Sequence, residues 1–253
     1  MNQALPFGVN GTPLSEWQTS TSLRGAQPIS LEELVPSGSR LIILAPHPDD
    51  EVLACGGLLA AMAGRQNQVQ LISVTDGEGS HPGSARWPQA ILSAERRKES
   101  ERALGRLGID VTRLAWQRLA ISDGRVAERA DSLIALLTED LGPTDVLLST
   151  WRHDGHCDHE AVGHCAAQAA ASTGAALLEM PVWAWHWAEP NDPRIPWDRA
   201  RKLMLSEDQM QRKRQAAEAH LSQLQTDPST GALPVLDAAT LERLLQPFEL
   251  VFM

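Results

Sequence analysis

From residue 40 onward, short apolar runs alternate with longer amphipathic stretches, and that rhythm restricts the chain to few architectures. Arg40–Ala45 (RLIILA), Val69–Thr75 (VQLISVT), Val111–Ala115, Asp145–Ser149 (DVLLS) and Leu177–Trp183 are too short for core helices and read as strands buried in a sheet. Between them, Asp50–Arg65, Ile91–Leu107, Val126–Leu141 and Asp158–Ser172 carry helical composition and spacing, with Gly108, Gly142-Pro143 and Gly174 as stops. Alternating strands and helices close most easily through right-handed crossovers. The expected class is therefore α/β, a Rossmann-like, mostly parallel sheet with helices on both faces.

The flanks follow another pattern. Residues 1–38 are rich in Gly, Pro, Ser and Thr and predict an irregular N-terminal arm with one short helix near Ser30–Leu34. Residues 39–253 are expected to form a single domain, with 191–253 as a C-terminal extension packed on it. That extension offers a turn-like Asn191–Trp197, a strand at Ala200–Leu205, a helix over Glu207–Leu224 and a last strand at Phe248–Phe252.

A formal net charge of −10 argues against nucleic acid as the partner, because phosphate binding needs clustered Lys and Arg. Hydrophobic residues make up 43% of the chain, enough for a core without disulfides. Cys55, Cys157 and Cys165 form no CxxC pair, which points to a reducing, cytoplasmic setting. The opening MNQALPFGVNG lacks the pattern of a secretory signal. The most apolar window, Ala166–Trp187, is broken by Gln168, Glu179 and His186, so no membrane span is expected.

Chemistry concentrates in two loops, each directly after a strand. In open parallel sheets such loops flank the crevice where strand order reverses. The first is Ala45-Pro46-His47-Pro48-Asp49-Asp50-Glu51; Pro48 biases His47 toward an extended backbone, and the carboxylates favour the positive end of the helix that follows. The second, Trp151 to Glu160, holds His153, Asp154, His156, Asp158 and His159. His156 and His159 share a face if a helix starts there. Acidic residues after a strand are often plain helix caps, and Asp158 is a candidate for that role. Two such loops on neighbouring strands favour a metal site, and two His and one Asp with an open position suit catalytic zinc. Residue types alone do not decide between Asp49 and Asp50 as the ligand. Cys157 is the rival ligand, while His153, His164 and His81 are expected at the rim or on the surface. Trp151, Trp183, Trp185 and Trp187 offer either core packing or an apolar, sugar-stacking wall. No Gly-x-Ser-x-Gly turn is present, and Gly56-Gly57 lie inside a helix rather than in a phosphate loop.

HPDDE after the first of these strands and HxDH after the fourth resemble the LmbE-like zinc deacetylases, a family that includes N-acetylglucosaminyl-phosphatidylinositol deacetylases and the deacetylases of mycothiol and bacillithiol synthesis. Thr75-Asp76-Gly77-Glu78, the helix bearing Arg96, Glu99, Ala103, Leu107 and Gly108, the Asp123-Gly124 turn and the segment with Lys213, Ala216, His220, Ser222 and Gln223 extend the resemblance over residues 40 to 225. It implies that His47, Asp50 and His159 hold Zn2+, with Fe2+ or another divalent ion as the alternative. It makes Asp49 the general base and His156 the oxyanion stabiliser or acid, with Asp158 setting its orientation and charge. Arg96 and Asp123 resemble positions that contact sugar hydroxyls, and Glu51 either binds a hydroxyl or starts the helix. The implied activity is hydrolysis of the N-acetyl group of a small amino sugar or glycoconjugate. A zinc hydrolase of another amide or ester is the nearest rival, and a non-catalytic metal- or ligand-binding protein the next.

Overall fold

The computed structural model describes residues 11–253. Its centre is an eight-stranded sheet built from β1 (Gln27–Ile29), β2 (Leu41–Ala45), β3 (Val69–Thr75), β4 (Ala115–Ile121), β5 (Val146–Thr150), β6 (Ala176–Met180), β7 (Ala200–Met204) and β8 (Phe248–Phe252), in the order β1-β7-β8-β6-β5-β2-β3-β4. Strand β8 runs antiparallel to both neighbours and every other pairing is parallel. The sheet divides two cores. Leu41, Ile43 and Ala45 of β2 enter one with the helices Asp50–Leu53, Gly56–Met62 and Gln89–Arg106. Ile42 and Leu44 enter the other with Ala130–Asp140 and Cys157–Thr173. A period of two on a strand covered on both faces explains why β2 is apolar at every residue.

After β2 the chain proceeds outward to β3 and β4, then returns to place β5 on the other side of β2. This is the reversal at which α/β sheets bind ligands. Leu41↔Val146 through Leu44↔Ser149 pair in parallel register, so the two chemistry-bearing loops leave the same sheet edge side by side.

Four differences from the sequence reading have local causes. The third strand lies at Ala115–Ile121, not Val111–Ala115. It is the sheet edge, its residues alternate between exposed and half-buried, and a register shift opposite Ser73/Thr75 interrupts it, so it lacks the apolar run of a central strand. The helix expected over Asp50–Arg65 breaks at Cys55 (φ −135°, ψ 26°). It restarts where the backbone N–H groups of Gly57 and Leu58 donate to the Glu249 carboxylate at 2.7 and 2.9 Å, an anion seated on a helix start. The helix expected over Glu207–Leu224 ends at Ala217 and resumes at Leu221. There Ser222 turns its N–H and hydroxyl to Glu99, both at 2.7 Å. The arm is not wholly irregular: besides Leu31–Leu34 it contains the helices Leu14–Trp17 and Thr21–Gly25, and β1 extends the sheet beside β7. Residues 1–10 of the arm lie outside the described residues.

Candidate metal centre

The loop after β2 is pinned before it reaches the site. Pro46 O accepts from both the N–H and the hydroxyl of Thr75, at 3.0 and 2.9 Å. Asp49 then adopts φ +139°, outside the range L-residues favour, at a cost on the order of 1–3 kcal/mol. Its neighbours hold it there: Asp49 N–H donates to Glu51 Oε2 at 3.0 Å, and Asp49 O accepts from Val52 and Leu53 N–H at 2.9 and 2.8 Å. The strained backbone splits the adjacent aspartates. Asp50 Oδ2 lies 3.3 Å from His47 Nδ1 and 3.3 Å from His159 Nε2. The Asp49 carboxylate instead pairs with Arg96 at 3.0 Å.

His47 Nδ1 and His159 Nε2 stand 3.2 Å apart. Three nitrogen and oxygen atoms thus form a nearly equilateral triangle with 3.2–3.3 Å edges. Ligands at zinc distance from one ion stand about 3.3–3.4 Å apart at the corners of a tetrahedron. The far ring nitrogen of each histidine meets a carboxylate: His47 Nε2 lies 3.2 Å from Asp158 and 3.3 Å from Asp123, and His159 Nδ1 lies 2.7 Å from Asp154. Imidazole backed by carboxylate is the usual support for a metal-ligating histidine. The donor set therefore fits a divalent ion of zinc size.

Asp154 was given no role by sequence reasoning. It is fully buried and accepts from the N–H groups of Val182, Trp183 and Ala184 at 3.0, 2.7 and 2.9 Å, besides His159. It ties the segment after β6 to His159. Its place five residues before His159 in a His-rich loop was the available signal.

Several expected side chains sit elsewhere than anticipated. Asp158 does not cap its helix; His156 does, its Nδ1 accepting from Asp158 N–H at 3.3 Å. The Asp158 carboxylate accepts from Gly124 and Val126 N–H at 2.6 and 3.2 Å and faces His47, not His156. Arg96, 3% exposed, donates to Gly77 O at 2.9 Å, Pro48 O at 2.7 Å and Asp49 Oδ2 at 3.0 Å, so its charge braces the HPDD loop. Glu51 is 1% exposed and serves the Asp49 backbone. Asp123 lines the cavity and also accepts from Gly79 N–H at 3.0 Å. Cys157 is exposed and is not among the residues lining the cavity. His153 and His164 pack edge-to-face at 5.6 Å on each other. His220 is buried. Trp183 and Trp185 line the cavity, whereas Trp151 packs on Phe252 and Trp187 stacks with Trp151.

The electrostatics follow from burial among charges. Burial opposes the His47 imidazolium, yet Asp123, Asp158 and Asp50 hold it well above the ordinary range. Burial likewise opposes charge on His159, but Asp50 and Asp154 raise it to about 9. Burial pushes the Asp49 carboxyl up to about 7, Arg96 pulling down and Asp50 pushing up. Burial and the charges of His159 and His47 push His156 down to about 4.

Residues 42–170, half of the chain, match the family described as PIG-L, GlcNAc-PI de-N-acetylase, and the chain belongs to that family. A 1D-myo-inositol 2-acetamido-2-deoxy-alpha-D-glucopyranoside deacetylase of Mycolicibacterium gilvum is 30% identical over 168 residues, 58% of each chain. The 2'-N-acetylparomamine deacetylase of Streptomyces fradiae is 32% identical over 157 residues, 54% of each. The chain thus spans less than three-fifths of the length of these relatives. Among solved structures, a deacetylase triple mutant of the teicoplanin biosynthetic pathway superposes with a TM-score of 0.61 at 22% identity, covering 85% of this chain and 97% of that one. The N,N'-diacetylchitobiose deacetylase of Pyrococcus horikoshii gives 0.54 at 20% identity, covering 78% and 75%. At these identities the likeness is one of fold.

Proposed function

We propose that the chain is a metal-dependent de-N-acetylase that hydrolyses the acetamido group of a small amino sugar or glycoconjugate, releasing acetate and a free amine. The observation that carries this reading is the triangle of His47 Nδ1, Asp50 Oδ2 and His159 Nε2 beside a second carboxylate, Asp49, that the backbone turns away from it. Two imidazoles and one carboxylate favour zinc, with Fe2+ as the alternative. When bound, the ion supplies Lewis-acid charge that polarises the amide carbonyl and acidifies a water molecule.

The remaining steps belong to side chains. Asp49 takes a proton from the attacking water, and a carboxyl raised to about 7 is matched to that task. Arg96 fixes where its oxygens point. His156 acts as the oxyanion stabiliser, as a neutral hydrogen-bond donor. Its Nδ1 accepts from Asp158 N–H, which leaves the proton on Nε2 as a donor for the developing oxyanion. The water oxygen bonds to the carbonyl carbon, the C–N bond breaks, and the proton held by Asp49 passes to the amine. Asp158 orients His47 in this scheme. Asp123 and Arg96 line the cavity and face a substrate hydroxyl, Arg96 while also bracing the loop; Glu51 serves the loop alone. Relatives named for N-acetylated amino-sugar substrates support the substrate class. No helix among the described residues is long and apolar enough to cross a membrane.

The test is acetate release from N-acetylglucosamine glycosides, beside acyl amino compounds and esters, on protein stripped of metal and then reloaded. Metal-dependent acetate from the sugars is expected. Cleavage of esters but no amide would reassign the bond, and no cleavage at one equivalent of metal would favour a binding role.

A further inference from the structure

The cavity over the metal centre, about 300 Å³, is lined by two unlike sets of residues. The polar set comprises the three histidines and two aspartates of the candidate metal centre together with Ser80, Arg96, Asp123 and Gln223. Leu53, Val182, Trp183, Trp185, Leu236 and Leu244 make up the other. All of the latter but Trp183 are buried members of the larger apolar core, so that core forms part of the cavity wall. The apolar set begins beside the chemistry: the rings of His156 and Trp183 lie 6.5 Å apart, edge to face. It continues outward to Val235, 48% exposed, and the same segment leaves Leu233 81% exposed. The polar groups on this side, His186, Thr240 and Arg243, are engaged with one another. Except for Leu53, these apolar residues come from segments outside the family-matched stretch 42–170.

Leu, Val and Trp side chains offer sugar hydroxyls no partners, and burying hydroxyls against them costs free energy. An apolar group gains by leaving water there. We propose that this wall is a subsite for an apolar group carried by the amino sugar. The substrate, on the deacetylase reading above, is an amphiphilic glycoside with an alkyl or aryl substituent, borne either on the anomeric oxygen or as the N-acyl chain. Asp123 and Ser80 face its sugar, and Trp183, Leu236 and Val235 face its apolar part.

Two substrate series separate the two origins of that group: alkyl glycosides of N-acetylglucosamine from methyl to hexyl, and methyl glucosaminide acylated from acetyl to hexanoyl. N,N'-diacetylchitobiose serves as a hydroxylated ligand of comparable reach. In one series kcat/KM should rise about threefold per methylene until the wall is filled. The series that rises identifies which end of the sugar carries the group. Val235→Asn, at a half-exposed position, and Trp183→Ala should each lower the hexyl-to-methyl ratio. Binding of the free-amine glycosides to metal-loaded protein, followed by tryptophan fluorescence, needs no turnover. Tighter binding of the hexyl than the methyl amine without any hydrolysis would uphold the subsite and remove the deacetylase reading. Flat responses in both series, or a preference for the disaccharide, would overturn the subsite while leaving the deacetylase intact.

Discussion

At the scale of single residues, the account depends on how two adjacent aspartates are divided. HPDDE and HxDH were legible in the sequence because metal chemistry needs those residue types close together. The supporting carboxylate Asp154 was not, because nothing local says that it reaches His159. That Glu51 lies beneath the loop was not legible either, because burial is a property of the folded chain; Arg96 braces the same loop and also lines the cavity. Asp154→Ala should weaken metal affinity about 10- to 100-fold, measured by chelator competition, since it frees the ring of His159. Affinity equal to wild type would remove Asp154 from the centre. Arg96 holds the Asp49 pKa below where burial alone would set it. A base must be ionised to act, so activity falls as pH drops through that pKa. Arg96→Gln should therefore move the acid limb of the kcat/KM profile to higher pH, while Arg96→Lys leaves it nearer its wild-type place. A limb unmoved by Arg96→Gln would show that the two charges do not interact during turnover.

Secondary elements carried most of the sequence signal. The central strands β2, β3 and β5 were readable because strands covered on both faces must be apolar throughout. Edge strand β4 escaped because exposure on one side dilutes the pattern. The helix breaks at Cys55 and after Ala217 escaped because carboxylates distant in the chain, Glu249 and Glu99, take the backbone donors there. One element-scale contact controls the site. A Cβ on Gly163 would stand 2.7 Å from the backbone N and Cα of Arg152, so the helix Cys157–Thr173 lies directly against the chain leaving β5. Backbone cannot yield as a side-chain tip can. Gly163→Ala should cost about 1–3 kcal/mol in denaturant unfolding and also loosen metal binding through His159. Unchanged stability would mean that the helix is free to shift outward.

For the molecule as a whole, eight strands in one sheet bring together loops more than one hundred residues apart in sequence, as the 3.2 Å contact between His47 and His159 records. The alternation of elements allowed the strands now seen as β2 and β5 to be neighbours across a switch point, and the sheet order places them so. The recruitment of β1 from the arm was not anticipated, because a three-residue edge strand carries almost no pattern. The same assembly couples metal to protons. Without metal, His47 is held well above its ordinary range and His159 near 9, so both are charged at neutral pH. Both must lose protons to bind an ion. Protons should be released on binding near pH 7, and affinity should climb as pH rises through about 9, where His159 loses its proton. Calorimetry in buffers of different ionisation enthalpy reads this directly, and binding without proton release would place the ion elsewhere.

The most direct test of the central claim is metal content and turnover measured side by side in wild type, Asp49→Ala and Asp50→Ala. The account predicts that Asp49→Ala keeps one equivalent of metal and loses activity by a factor on the order of 10² to 10⁴. It predicts that Asp50→Ala loses the metal itself. A full equivalent of metal in Asp50→Ala, or wild-type turnover in Asp49→Ala, would contradict it.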